Sequence, residues 1–159
     1  MNITSEEELQ NIFGEDEVVL DKDITISEDF NTIEEFSGTF DGQGYTISKL
    51  SSTFIETIAS NGVIKNVKFK NVDFVDSLGI FEQNFGVIKS VSVIDLEKKY
   101  GSSSEEEFGG IVRSNSGILQ DCLVKNSSLH HETLSGIICS YSTDNAKLDN
   151  CTVENSCIY

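Results

Sequence analysis

The chain has 159 residues, enough to form one domain around a hydrophobic core of useful size. Its 27 acidic residues outnumber 11 basic ones, and the net charge of −16 argues against direct binding to nucleic acid or to anionic membranes. No apolar run approaches the roughly 18 residues of a membrane span, and the first residues lack the pattern of a secretory signal. We therefore expect a cytoplasmic protein, or an extracellular one if the chain is a fragment of a larger adhesin.

Residues 1–14 are predicted to form a helical cap, with a short amphipathic helix over 5–13. Ser5 can accept a backbone N–H at the N-cap, and Glu8 stands three residues later at the capping-box position. The apolar side of this helix is expected to consist of Leu9, Ile12 and Phe13. Gly14 would end the helix. Short strands are expected next, near 17–20 and 23–26.

Four copies of one pattern follow, at spacings of 24, 31 and 29 residues. Each copy opens with a small residue: Gly62, Gly86, Gly117 or Ala146. Apolar residues stand two positions on (Ile64, Ile88, Leu119, Leu148), five positions on (Val67, Val91, Cys122, Cys151) and seven positions on (Phe69, Val93, Val124, Val153). The last two sets alternate with polar neighbours, which is typical of a strand with one buried face. Periods of this length indicate a solenoid.

Two further strands are predicted in each repeat. One is indicated by the triplets Gly79-Ile80-Phe81, Gly110-Ile111-Val112 and Gly136-Ile137-Ile138, and the other by Phe74, Leu129 and Ile158. Nine positions on from the small residue stand Asn71, Asp95, Asn126 and Asn155, which suit left-handed corners. The sequence therefore predicts an all-β, right-handed parallel β-helix of about five to six turns. It would form a single domain over 1–159, with the turns over 15–159.

The pattern G-I-h-x-x-x-x-G-x-I-x-[ND]-[CV]-x-V resembles the GLUG-type repeats of bacterial adhesin-like proteins. The similarity covers roughly residues 36–157, and the stretch FSGTFDGQGYTISKL (36–50) resembles the glycine-rich segment that often begins such arrays. The resemblance implies a right-handed parallel β-helix. It implies no particular function, because the motif residues are structural.

No catalytic residue, metal site or cofactor is predicted, and we expect that the protein is not an enzyme. A carbohydrate-active β-helix would need clustered carboxylates with a basic residue, and the single arginine, Arg113, is expected to be a surface charge. His130 and His131 are neighbours whose side chains point apart, so a shared metal is disfavoured. The four cysteines form no CxxC pair. Cys122 and Cys151 are expected to be buried free thiols.

Two functional hypotheses fit the sequence, and we favour the first. In it, the protein is a non-catalytic binding protein whose acidic face occupies a basic site on a protein partner, such as a site for nucleic-acid phosphates. Small acidic inhibitors of nucleases or CRISPR effectors from phages have this character. In the second, the chain is a structural or adhesive module, such as an adhesin fragment or a phage tail component. The predicted partner-binding residues are Glu15, Asp16, Glu17, Asp21, Asp23, Glu28, Asp29, Glu34 and Glu35, followed by Tyr100, Glu105, Glu106 and Glu107.

Two expectations concern the middle and the end of the array. The 31-residue spacing contains an insertion that predicts a projecting loop at 97–108, where partners often bind. No cap is apparent after the last repeat, and an open strand edge promotes association. We therefore expect a homodimer through Asn155, Ser156, Cys157, Ile158 and Tyr159, with Cys157 placed to cross-link it on oxidation. A short ordered tail that shields the edge is the alternative.

Overall fold

The structure is a computed structural model that describes residues 1–99, 107–130 and 135–159. The chain winds into an all-β parallel solenoid of about five turns, which confirms the predicted fold class. Three parallel sheets run along its length, and the apolar side chains between them form one continuous core. Within the described ranges, no helix has the length and apolar character needed to cross a membrane.

Among the described residues, each sheet takes one strand or two from almost every coil. Sheet 1 consists of Asn2–Ile3, Glu17–Leu20, Thr39–Asp41, Val63–Lys65, Val87–Lys89, Ile118–Gln120 and Lys147–Asp149. Sheet 2 consists of Ile24–Thr25, Thr46–Ser48, Lys68–Phe74, Ser92–Lys98, Leu123–Lys125, Ser128–Leu129, Thr152–Glu154 and Cys157–Ile158. Sheet 3 consists of Ile33–Phe36, Ile55–Ile58, Phe81–Asn84, Val112–Asn115 and Cys139–Ser142. A separate pair joins Phe108–Gly109 to Ser135–Gly136.

The register between coils confirms the repeat alignment. In sheet 1 the pairing places Ile64, Ile88, Leu119 and Leu148 in one column, and in sheet 2 it places Phe69, Val93, Val124 and Val153 in another. The first three members of each column are fully buried. Identical repeat positions stack because each strand pairs with the equivalent strand of the next coil.

Residues with a left-handed backbone form two columns of corners. One column lies between the strands of sheets 1 and 2, and the other lies within the sheet 2 part of each coil. The predicted column has φ between 48° and 56° at Asn71, Asp95, Asn126 and Asn155. The second column was not predicted, and it has φ between 51° and 54° at Asn66, Ser90, Asp121 and Asn150. Amide side chains connect the coils there, since Asn150 Nδ2 donates to Asp121 Oδ1 at 2.7 Å. Short polar side chains suit this conformation because they hydrogen-bond locally.

The column predicted from Phe74, Leu129 and Ile158 contains Lys98 in the remaining coil. Lys98 is 2% exposed, its Nζ donates to the carbonyl oxygen of Val75, and it lies 5.5 Å from the centroid of the Phe108 ring. A cation over an aromatic face is stabilised electrostatically. The lysine therefore fills an apolar position while its charge is partly compensated.

The N-terminal cap is shorter than predicted. The helix spans Glu6–Gln10 and not 5–13. The N–H of Glu8 donates to Ser5 Oγ at 3.2 Å, as expected for the N-cap. The N–H of Thr4 donates to the Glu8 carboxylate, and this hydrogen bond lowers the pKa of Glu8. Leu9, in the helix, and Ile12, two residues after its end, are both fully buried, as expected. Phe13 contradicts the prediction because it is 71% exposed. The helix ends three residues earlier, so Phe13 is no longer in phase with the apolar side.

Two other boundaries differ from the sequence prediction. The third glycine triplet is displaced by one residue, because Val112 pairs with Cys139 and not with Ile138. The predicted loop at 97–108 is shorter at both described ends, since sheet 2 continues through Lys98 and a new strand begins at Phe108. Residues 100–106 of that loop lie outside the described residues.

Cys122 and Cys151 are free thiols in one column, and they differ in burial because a further coil covers only Cys122. Burial raises the pKa of Cys122 to about 12, so its thiol stays protonated at neutral pH. We predict that iodoacetamide modifies Cys122 last among the four cysteines in the folded protein, and at the same rate as the others in denaturing urea. Peptide mass spectrometry over a time course measures this, and early labelling of Cys122 in the folded state would contradict its burial.

The pKa of Cys122 also affects stability in alkali. Because the folded pKa lies above the ordinary value of 9.0, the unfolded chain loses this proton before the folded one does. Stability from this group is therefore present below pH 9 and falls as the pH rises between about 9 and 12.

Candidate functional site

Sheet 3 carries a column of glutamates on its outer face. Its first three strands read IEEF, IETI and FEQN, and their register places Glu34, Glu56 and Glu82 at equivalent positions. We call these three residues the glutamate column. Glu34 and Glu56 are exposed, and Glu82 is half-buried. Neighbouring strands lie about 4.8 Å apart, so the column places one carboxylate at each step of the solenoid.

The strands hold this column in place through the residues on both sides of it. In the first strand, Ile33 and Phe36 are 5% and 1% exposed, and in the second, Ile55 and Ile58 are fully buried. Each four-residue strand therefore buries its first and last side chains and turns its two central side chains outward. The second outward position continues the acidic face with Glu35 and then becomes uncharged, with Thr57 and Gln83.

The fold separates lysines from this face. The strands of sheet 3 contain no lysine, whereas lysines stand on the outer positions of sheet 1 (Lys65, Lys89, Lys147) and sheet 2 (Lys68, Lys70, Lys125). Two of them pair with acids on those sheets: Lys65 with Asp41 at 3.3 Å and Lys125 with Glu154 at 2.9 Å. Pairing of this kind reduces the net field of sheets 1 and 2. The described strands of sheet 3 thus expose three glutamates, Glu34, Glu35 and Glu56, with no lysine on the same sheet.

Arg113 follows the glutamate column in the next strand of sheet 3. It is half-buried, and its Nε is buried without a hydrogen-bond partner in the described part of the chain. The expectation of an ordinary surface charge is therefore only partly met. The outer column of sheet 3 is negative over three coils and turns positive at the fourth.

Acidic side chains continue beyond the glutamate column to the N-terminal cap. A groove of about 500 Å³ lies between the helix and the first coil, and Glu6, Glu7 and Asp29 are among its lining residues. A smaller hollow of about 230 Å³ connects Phe13 with Thr32 and Glu34. The exposed Phe13 ring therefore stands at the N-terminal end of the glutamate column, where it offers apolar area beside negative charge.

The nine acids predicted between Glu15 and Glu35 are all exposed, but they surround the first coil and do not share one face. Glu17 lies on sheet 1, while Asp21 and Asp23 stand between sheets 1 and 2. Asp21 accepts a hydrogen bond from Asn2 Nδ2 at 2.8 Å, and Asp23 accepts one from the N–H of Thr46 at 2.8 Å. The remaining acids are Glu15 and Asp16 before sheet 1, Glu28 and Asp29 between sheets 2 and 3, and Glu34 and Glu35 in sheet 3.

Most of the predicted partner-binding residues of the 97–108 loop lie outside the described residues. Tyr100, Glu105 and Glu106 lie outside the described residues, as does His131. Glu107 is described and half-buried, directly before the strand that begins at Phe108. His130 stacks on Tyr159, with ring centroids 4.7 Å apart and an interplanar angle of 10°. In the described ranges, no group of three or more His, Cys, Asp or Glu residues could hold a metal ion.

Glu56, Glu82 and Phe13 were missed by sequence reasoning. A signal for the two glutamates was present, because each directly follows two consecutive large apolar residues, Phe54-Ile55 and Ile80-Phe81. The repeat alignment was anchored on the small residues of sheet 1, so it did not compare these segments. Phe13 had no such signal, because its exposure depends on where the helix ends.

The fold defines the protein as a parallel β-solenoid. No protein-family model matches the chain, and no curated protein matches it. It is similar to the crystal structure of a putative immunoglobulin A1 protease from Bacteroides ovatus, with a TM-score of 0.55 and 14% sequence identity. The similarity covers 97% of this chain and 77% of that chain. At this identity the likeness shows the fold alone, and it agrees with the β-helix that the repeat resemblance implies.

Proposed function

We propose that the protein is a non-catalytic binding module whose sheet 3 face docks on a basic surface of a protein partner. The observation that carries this proposal is the glutamate column, Glu34, Glu56 and Glu82, on a sheet without lysine. A partner with arginines or lysines in a row would meet several carboxylates at once. The same chemistry gives rapid, salt-sensitive association.

The rigidity of the face supports binding. Each glutamate stands between two buried residues of its strand, and every strand pairs with its neighbours in adjacent coils. The carboxylates therefore keep their spacing before the partner arrives, and little backbone entropy is lost on association. An isolated surface ion pair contributes about 0.2–1 kcal/mol, but a row of them adds up and specifies orientation.

The partner surface that fits best is one that otherwise holds nucleic-acid phosphates. Both a phosphate backbone and the glutamate column present negative charges in a regular row, and a basic groove recognises either by electrostatics. Under this proposal the protein competes with nucleic acid for the groove, as an inhibitor of a nuclease or CRISPR effector of the phage-encoded kind would. The net charge of −16 repels nucleic acid itself, which supports a basic protein as the ligand.

The experiment compares two triple variants that lose the same charge. One neutralises the sheet 3 face (Glu34→Gln, Glu35→Gln and Glu56→Gln), and the other neutralises exposed acids of sheets 1 and 2 and the corner before sheet 1 (Glu15→Gln, Glu17→Gln and Glu97→Gln). The probe is a fluorescent arginine-rich helical peptide, followed by anisotropy at low and high salt. We expect the sheet 3 triple to weaken binding about tenfold more than its control, because it removes two carboxylates of the glutamate column and the neighbouring Glu35 from one face.

A second measurement tests competition with nucleic acid. Labelled duplex DNA is bound to a basic DNA-binding protein, and each variant is titrated in to displace it. The wild type and the control triple should displace the DNA, and the sheet 3 triple should do so poorly. Equal behaviour of the two triples in both assays would show that overall charge acts without a dedicated face, and it would overturn the proposal.

A second candidate function is a structural or adhesive β-helix module. The observation in its favour is the solved structure from Bacteroides ovatus, whose fold this chain matches over 97% of its own length. A module of this kind uses its stacked coils as a rigid spacer and needs no charged binding face. It predicts that neither triple variant changes binding to the arginine-rich probe beyond the effect of net charge.

A further inference from the structure

We infer that the last coil of the 159-residue chain binds the last coil of a second copy, which forms a two-fold, end-to-end dimer. This inference is independent of the sheet 3 proposal because it concerns a different surface. We call that surface the terminal face, and it consists of Tyr141, Leu148, Val153, Ile158 and Tyr159.

Core columns of the solenoid reach the surface at the terminal face. Their last members, Leu148, Val153 and Ile158, are 47%, 40% and 45% exposed. The residues that pair with them one coil earlier, Leu119, Val124 and Leu129, are fully buried. Tyr141 and Tyr159 add rings that are 53% and 66% exposed. A contiguous apolar patch of this type marks an interaction surface.

The strand edges at this end are also open. Lys147–Asp149, Thr152–Glu154 and Cys139–Ser142 are the outermost strands of sheets 1, 2 and 3 among the described residues. Each pairs on one side with the preceding coil, and its other side offers backbone groups to a partner. The opposite end of the solenoid is closed by the helix, under which Leu9 and Ile12 are fully buried. Head-to-tail stacking of copies is therefore blocked, and the terminal face can be covered by its own equivalent.

Charge favours the same arrangement. Residues 1–50 carry 13 acids and two lysines, whereas residues 135–159 carry three acids and one lysine. A dimer through the terminal faces keeps the two acidic first coils at the far ends. About five strand spacings of roughly 4.8 Å separate them from the interface, which exceeds the Debye length of about 8 Å. Repulsion between copies is thus smallest where the apolar area is largest.

The test is sedimentation velocity with light scattering over a concentration series, in reducing buffer so that Cys157 cannot cross-link copies. We expect a particle of twice the 17.5 kDa chain mass. The double variant Val153→Glu/Ile158→Glu should raise the dimer dissociation constant at least tenfold, since it brings four carboxylates into a desolvated interface. Both residues are already partly exposed, so the monomer keeps its fold.

The matched control is Val75→Glu/Phe85→Glu, which adds the same charge at residues that are 45% and 48% exposed in the middle of the chain. This variant should remain dimeric, and circular dichroism should show that both variants are folded. A monomeric wild type, or a terminal-face variant that stays dimeric, would overturn the inference. So would dissociation of the control, because net charge would then explain the result, and so would assemblies that keep growing with concentration.

Discussion

Replacing Phe54 by alanine should destabilise the protein by about 3–5 kcal/mol, the largest effect we expect from a single side-chain truncation. Phe54 is fully buried, and its ring contacts four others: Phe30, Phe40, Phe69 and Phe81, at centroid distances between 5.4 and 6.3 Å. These rings belong to all three sheets or their connections, so the cavity would open where the sheets meet. Stability of a domain this size is about 5–15 kcal/mol, so the loss is a large share of it.

The chain contains no tryptophan, so urea unfolding is followed by far-UV circular dichroism to measure the effect of Phe54→Ala. The control is Phe85→Ala, which removes the same atoms from a ring that is 48% exposed. We expect the control to cost less than about 1 kcal/mol. If the two variants unfolded at the same urea concentration, the rings around Phe54 would not form the centre of the core.

Gly86→Ala should cost roughly 3 kcal/mol, although it adds only one methyl group. A Cβ at this position would lie 2.1 Å from the carbonyl oxygen of Gly62 and 2.5 Å from that of Ala59. Both oxygens belong to the backbone of the preceding coil, so no side chain can move aside. The N–H of Val87 also donates to the Gly62 oxygen at 3.0 Å, and relief of the clash would stretch that bond. At Gly86 the coils therefore approach too closely to leave room for a Cβ.

The matched control for this prediction is Gly44→Ala. Gly44 has φ +82° and open space around its Cβ direction, so the same substitution pays only for backbone strain. That strain is about 1 kcal/mol. Comparison of the two unfolding midpoints separates coil packing from backbone conformation. A smaller loss at Gly86 than at Gly44 would contradict the close approach of the coils.

The Phe54 prediction also bears on the proposed binding face, because the core determines where the sheet 3 glutamates stand. Phe54 lies directly before the strand Ile55–Ile58, which carries Glu56. Loss of the Phe54 ring should loosen this strand and disturb the spacing between Glu34 and Glu56. The Phe54→Ala variant, if it remains folded in the binding assay, should therefore bind the arginine-rich probe more weakly than the Phe85→Ala control.

Some features could be predicted because they depend on side-chain types at fixed spacing. Ile64, Ile88, Leu119 and Leu148 recur two positions after a small residue, and stacked strands place all four in one register, with the first three fully buried. Asn126 and Asn155 likewise indicate corners, since few other residues accept a left-handed backbone. The glutamates of sheet 3 recur in the same way, so comparing those segments would have identified them.

Other features depend on contacts between residues far apart in the chain. Lys98 occupies an apolar column because the Phe108 ring and the Val75 carbonyl receive its charge, and neither is visible in the local pattern. Phe13 is exposed because the helix ends at Gln10. The nine predicted acids are close together in the sequence, but the first coil places them on different sides of the solenoid.

The sequence by itself determined the solenoid, the register of sheets 1 and 2 and one of the two corner columns, because the coils repeat the same local requirements for apolar, small and left-handed positions. Only the tertiary structure decided which acids share a face and which end of the core stays open. Both properties arise from the stacking of coils. Stacking makes neighbours of residues more than 20 positions apart, such as Glu34 and Glu56. It also buries Val124 beneath the following coil, whereas Val153 in the last coil stays 40% exposed. Local preference sets the path of each coil, and contact between coils sets the surface.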